Sequence, residues 1–135
     1  MKKALTLLGI LSLAACSGTC DPSEINGDMV FFGFDSAEIT PEAHKSLLEQ
    51  SAFLKQNPDV NVIMEGHCDE RGSSQYNLAL GAVRAGNAAH VLIRDGIEPN
   101  RIQTVSYGKE KPQFLGTGER VWSMNRNATT QTVMK

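Results

Sequence analysis

Residues 60–94 read VNVIMEGHCDERGSSQYNLALGAVRAGNAAHVLIR, and the order of signals in that stretch decides the fold. Val60 to Glu65 is an apolar run rich in β-branched residues, the composition of a buried strand. Ser73 or Ser74 then opens a helix by offering a hydroxyl to the amides of its first turn. Within that helix Leu78, Ala82, Ala85, Ala89 and Leu92 recur at the spacing of one face, and this stripe is predicted to be core. Between them lies GHCDERGSS, Gly66 to Ser74, three charges in a row closed by glycine and two serines. A loop running from the C-terminal end of a strand to a helix N-terminus is where α/β folds commonly present free amides to ligands. Position alone therefore makes it a candidate site.

Outward from this unit, Met29 to Asp35, MVFFGFD, reads as a strand with Val30, Phe32 and Phe34 on one face. Thr40, Pro41 and Glu42 supply an N-cap, an N1 proline and a first-turn acid for a helix whose Ala43, Leu47 and Leu54 share a face widened by Leu48 and Ala52. Asn57-Pro58 stops it. Arg101 to Tyr107 reads as a third strand, Glu119 to Met124 as a short helix, and Ala128 to Met134, ATTQTVM, as a last strand. The polarity of that last strand predicts a loose sheet edge. The order βαβαβ(α)β predicts an α/β two-layer sandwich with the helices covering one face of a mixed four-stranded sheet.

The chain has 135 residues, 41% hydrophobic and 21% charged, which suits one small domain with a mixed core. Its net charge is -2, and removing an N-terminal leader that carries Lys2 and Lys3 leaves 11 basic against 15 acidic side chains. A nucleic-acid surface requires the opposite sign.

Met1-Lys2-Lys3 is a short positive segment and Ala4 to Leu13 an apolar one too short to span a bilayer. Leu13-Ala14-Ala15-Cys16 follows, the pattern of a bacterial lipobox. Residues 1–15 are thus expected to be a lipoprotein signal peptide, with Cys16 lipidated and the mature chain starting there. Acyl chains on one residue give stable anchoring where a single chain is marginal. Ser17, rather than Asp, favours the outer membrane by analogy with the lipoprotein sorting signal. Residues 16–28 are expected to be the lipidated N-terminus and a polar, flexible tether, and residues 29–135 the folded domain.

Cys20 and Cys68 remain; a disulfide is open to them in an oxidising periplasm, but one lies in the tether and the other at a strand end. No CxxC pair suggests zinc. His67 and Cys68 are adjacent on a strand, so their side chains oppose each other and neither a metal site nor a Cys-His nucleophile is expected. His44 and His90 sit in amphipathic helices, and no GxSxG or HExxH motif supports an amidase or peptidase. No cofactor is implied. What the loop does offer is charge: Asp69 in it and Arg84 on the following helix, where Asn77, Leu80 and Arg84 share a face beside the core stripe. An acid and an arginine converging there fit a zwitterion, the acid on an ammonium and the arginine forked onto a carboxylate. A structural salt bridge between the two is the competing reading.

HCDERGSSQYNLALGAVRA (67–85), VSYGKEKP (105–112) and ERVWSMNRN (119–127) together resemble the OmpA-like peptidoglycan-binding domain. The resemblance covers Phe32 to about Ala128. It implies an OmpA-like fold and non-covalent binding of the diaminopimelate in the peptidoglycan stem peptide, a group with an ammonium and a carboxylate on one carbon. Carried onto this chain, it puts Asp69 on the ammonium and Arg84 on the carboxylate. Asp35 stands beside them, Arg71, Asn77 and Leu80 line the pocket, and Arg126 closes the rim or braces the fold. The lipobox narrows the likeness to the lipoproteins that tether outer membrane to cell wall within the Tol system, with a TolB-like periplasmic partner. A wall-anchoring lipoprotein without Tol partners is the alternative. Three departures stand out: Cys68 in place of threonine, and Val83 and Asn127 where the pattern has arginines, which lowers the positive charge expected around the site.

Overall fold

The computed structural model describes residues 22–135, so the leader, Cys16 and Cys20 lie outside the described residues. Four strands and three α-helices alternate: β1 (Met29–Phe31), α1 (Pro41–Gln56), β2 (Val60–His67), α2 (Ser74–Arg94), β3 (Ile102–Gly108), α3 (Glu119–Asn125) and β4 (Asn127–Met134), with 3-10 turns at Pro22–Ile25 and Pro99–Arg101. The sheet order is β1-β4-β2-β3. β4 runs antiparallel to both of its neighbours, while β2 and β3 are parallel and joined by α2 as a crossover. This is the mixed four-stranded α/β sandwich that the sequence predicts. Among the described residues no helix is long and apolar enough to cross a membrane.

Alternation along β2 puts Val60, Val62 and Met64 beneath the helices, where Leu47 and Leu54 of α1 and Ala85, Ala88 and Leu92 of α2 close over them. The helix faces differ from the predicted stripes at particular positions. Leu48 and Ala52 of α1 are exposed, and Gln50, Ser51 and Phe53 are buried in their place. In α2, Leu78 and Ala82 are exposed, and the first turns bury Asn77, Gly81 and Arg84. The cause is a glycine contact. A Cβ built on Gly66 of β2 would stand 1.7 Å from the Gly81 carbonyl oxygen, so strand and helix meet there backbone to backbone. The buried positions on either side of Gly81 are Asn77 and Arg84, both polar.

The last strand is not a loose edge: β4 lies inside the sheet, and its polar residues are paired. Thr130 donates to Gln50 Oε1 at 2.6 Å and Thr129 to Asn127 Oδ1 at 2.7 Å, while the Asn127 amide donates to Gln113 Oε1 at 2.7 Å and to the Met124 carbonyl at 2.8 Å. Buried polar side chains are tolerated when so satisfied. Part of the expected tether also contacts β4. Ile25 is 5% exposed in the core, Gly27 N–H donates to Thr130 O at 2.7 Å, and Thr132 N–H donates to Asn26 Oδ1 at 2.9 Å. Ile25, Asn26 and Gly27, within the stretch read as tether, are thus packed on the sheet. β1 is shorter than predicted, and Phe34 is 64% exposed beside the candidate loop instead of packed in the core.

Candidate functional site

At the C-terminal end of β2 the chain encloses a cavity of about 110 Å³. Asp35, Asp69, Arg71, Asn77, Leu80 and Arg84 all line it, as do four residues the sequence did not single out for it, Phe34, Cys68, Gly72 and Tyr76. The loop is built to converge. Gly72 adopts φ 89°, a left-handed turn open to glycine, and lets the chain double back into α2. Ser73 caps the helix by accepting from Tyr76 N–H at 3.1 Å, and the Asn77 amide donates to the carbonyls of Arg71 at 2.7 Å and Ser73 at 2.9 Å. Cys68 is buried and has no disulfide partner among the described residues; its thiol donates to the Asn77 carbonyl at 3.2 Å, and burial pushes its pKa up. It is a small, unreactive wall residue.

Asp69 is 5% exposed and fully engaged. Its Oδ1 accepts from the Arg71 backbone N–H at 3.0 Å and from Arg71 Nε at 3.1 Å, its Oδ2 accepts from Arg71 Nη2 at 2.8 Å, and Arg126 Nη1 stands 3.6 Å from Oδ2. Burial alone would raise its pKa, but the hydrogen bonds from Arg71 and the charges of Arg71 and Arg126 outweigh it and hold the carboxyl below its ordinary range.

Arg84 is 1% exposed and meets no carboxylate. Its Nε donates to Ser36 O at 2.9 Å, Nη1 to His67 O at 2.9 Å and Nη2 to Gly33 O at 3.1 Å. Three of the five N–H groups of a guanidinium are so used, leaving two without a carbonyl or carboxylate. Burial lowers its pKa, the neighbouring Arg126 charge adds to this, and Asp69 and Cys68 oppose it; a guanidinium nonetheless keeps its charge. The structural salt bridge between Asp69 and Arg84 is not formed. Each faces the same cavity with different partners: Asp69 with two arginines, Arg84 with three carbonyls.

The remaining candidates divide. Asp35 lines the cavity at φ 51° and accepts from the Tyr76 hydroxyl. Arg126 does not line it. It pairs with Asp69 by charge at 3.6 Å and donates to Glu119 Oε1 at 2.8 Å and to Phe32 O at 3.0 Å. Val83 is exposed and Asn127 wholly buried in the β4 network, and neither lines the cavity. Trp122 and Phe34 were legible only as apolar residues; they flank the Arg71 guanidinium at 4.1 Å and 4.3 Å from its centre. Two larger grooves, one along β1 and α1 and one between α1 and α2, gather no pair of convergent opposite charges around a buried cation. Among the described residues no cluster of three or more His, Cys, Asp or Glu side chains is placed to share a metal ion.

The OmpA family model matches residues 31–126, which is more than half of the chain. The chain belongs to the OmpA family. Within it, the chain is 42% identical over 124 residues to the peptidoglycan-associated lipoprotein of Rhizobium meliloti, a match covering 91% of this chain and 70% of that one. It is 36% identical to the peptidoglycan-associated lipoprotein of Pasteurella multocida, with 95% of each chain covered. The crystal structure of the peptidoglycan-associated lipoprotein from Burkholderia pseudomallei superposes with a TM-score of 0.78 at 34% identity, covering 84% of this chain and all of that one. The C-terminal domain of Helicobacter pylori MotB, at 21% identity and a TM-score of 0.74, shares the OmpA-family fold. The three peptidoglycan-associated lipoproteins among these relatives are named as lipoproteins, not as enzymes.

Proposed function

We propose that this chain is an outer-membrane lipoprotein whose periplasmic domain binds peptidoglycan non-covalently, holding the diaminopimelate of the stem peptide in the cavity between Asp69 and Arg84. One observation carries the reading: a buried arginine with two N–H groups to spare and no carboxylate opens on the cavity that a buried aspartate also lines. A ligand carboxylate on Arg84 completes its donors in a fork, and an ammonium on the same carbon meets Asp69. The volume suits the charged end of one side chain; about 110 Å³ is well below the ~300–1,000 Å³ of pockets that enclose whole small molecules. The names of the relatives, peptidoglycan-associated lipoproteins, support a lipoprotein that associates with peptidoglycan.

Lipidation at Cys16 would hold the domain at the outer membrane and so tether that membrane to the wall. The likeness to Tol-system lipoproteins adds a TolB-like periplasmic protein as partner, which capture of a purified TolB-like protein tests. For the ligand, the test is calorimetric titration of the unlipidated mature chain, residues 17–135, with a diaminopimelate stem peptide. Removing one partner of a desolvated, hydrogen-bonded charge pair costs ~2–5 kcal/mol, and ~1.4 kcal/mol is one decade in affinity. Asp69→Ala and Arg84→Ala are therefore each expected to weaken binding by more than tenfold. Wild-type affinity in both folded variants would refute the assignment.

A further inference from the structure

The two charges that meet the ligand are not in the same condition. Arg84 has two N–H groups bonded to no carbonyl or carboxylate, whereas both oxygens of Asp69 are taken, and the group that takes them is a cation like the ligand's ammonium. Arg71 forks onto Asp69 through Nη2 and Nε at 2.8 Å and 3.1 Å. Its guanidinium centre lies 4.3 Å from the Phe34 ring and 4.1 Å from the Trp122 ring, a slot between two aromatic faces. Trp122 is itself fixed by donating from Nε1 to Glu70 Oε1 at 2.8 Å. The Arg71 side chain is about one-third exposed, against 6% for that of Asp69, and a second carboxylate stands on its outer side: Glu119 Oε2 is 3.9 Å from Nη2.

We propose that Arg71 is an internal stand-in for the ligand's ammonium, and that binding is an exchange in which the ammonium takes the Asp69 carboxylate and the Arg71 guanidinium turns outward to Glu119. The inference rests on the zwitterion reading above. The Arg71 backbone N–H at 3.0 Å stays on Oδ1 throughout, and Arg126 remains behind Oδ2, so the buried carboxylate is never left bare. The swap is one cation for another on the same acceptor, which keeps the local charge constant. It also sets a threshold. An amine with no carboxylate must displace Arg71 without help from Arg84, and a carboxylate with no ammonium leaves Arg71 in place. Arg71 thereby weakens every ligand whose ammonium must take Asp69 and leaves a carboxylate-only ligand unaffected.

The test compares two synthetic stem tripeptides on the unlipidated mature chain, one ending in meso-diaminopimelate and one in 2-aminopimelate, which keeps the side-chain carboxylate and lacks the ammonium beside it. Arg71→Met keeps a long side chain between the two rings and removes the competitor. The apparent affinity of a site falls with the fraction that is competent to bind, so clearing Asp69 is expected to raise the preference for the diaminopimelate peptide over the 2-aminopimelate peptide by about three- to tenfold. Glu119→Gln, which removes the outward negative charge, is expected to lower that preference. An unchanged or smaller preference in Arg71→Met overturns the exchange while leaving the ligand reading intact. A wild type that does not prefer the diaminopimelate peptide overturns both.

Discussion

Gly66→Ala tests the contact that sets the site. Its Cβ would lie 1.7 Å from the Gly81 carbonyl oxygen and 2.5 Å from the carbonyl carbon, both backbone atoms in the middle of α2. Real Cβ atoms essentially never come within 3.0 Å, so helix and strand must separate by at least 1.3 Å, the difference between 3.0 and 1.7 Å. Overpacking a filled site usually costs ~1–3 kcal/mol, and a clash with two backbone elements sits at the upper end or above it. The helix that retreats carries Asn77 and Arg84, and misplacing binding groups by about 1 Å is enough for losses on the order of a hundredfold. Gly81→Ala is a graded control. Its nearest obstacle is the Ser106 hydroxyl at 2.3 Å, with Gly66 O next at 3.1 Å, so Ser106→Ala should relieve much of its effect and none of that of Gly66→Ala. Urea unfolding gives the stability and calorimetric titration with the diaminopimelate stem peptide gives the affinity. Wild-type stability and affinity in Gly66→Ala would refute the backbone contact as the reason α2 turns its polar face inward.

Thr130→Val leaves the buried Gln50 Oε1 without its 2.6 Å donor and should destabilise by ~1–3 kcal/mol in urea, with Gln50→Leu in the same chain recovering much of the loss. Acid sensitivity should come in two stages. Burial lowers the pKa of His67, partly offset by its hydrogen bond to Glu65, so from about pH 6.5 downward the unfolded chain takes up a proton that the folded one resists. Stability should fall across that window and level off below the depressed folded value, and His67→Gln should flatten this limb in unfolding midpoints measured against pH. The depressed pKa of Asp69 contributes stability that is present above about pH 3.8 and lost as pH falls through the folded value, so Asp69→Asn should shrink only that lower limb.

The strands, the two long helices and their order are legible in the sequence because each follows from local rules: β-branched runs, Thr40 and Ser73 as caps, and the breaks at Asn57-Pro58 and Gly72. The inward face of α2 is not. Its apolar stripe from Leu78 to Leu92 reads well as a helix, but which face turns inward near its start depends on Gly66 meeting Gly81, a contact 15 residues apart in sequence that no periodicity reports. The same holds for β4, whose threonines suggest a weak edge until Gln50 from α1 and Gln113 from the loop between β3 and α3 supply their partners. Asp69 and Arg84 are recognisable as the charged residues that flank the loop, but their partners are not. That Arg71 rather than Arg84 takes Asp69 depends on Phe34 leaving the core and on Trp122 arriving from a distant short helix.

The most direct measurement is the affinity of the unlipidated mature chain for two stem peptides that differ only in the third residue, diaminopimelate or lysine. The lysine form keeps the ammonium for Asp69 and lacks the carboxylate that completes Arg84. A cavity that holds both charges should bind the diaminopimelate form more than tenfold tighter, the discrimination expected when a buried charged donor is left unpaired. Equal affinity for the two peptides would contradict it and leave Arg84 as a strut that only ties the loop at Gly33 and Ser36 to the helix.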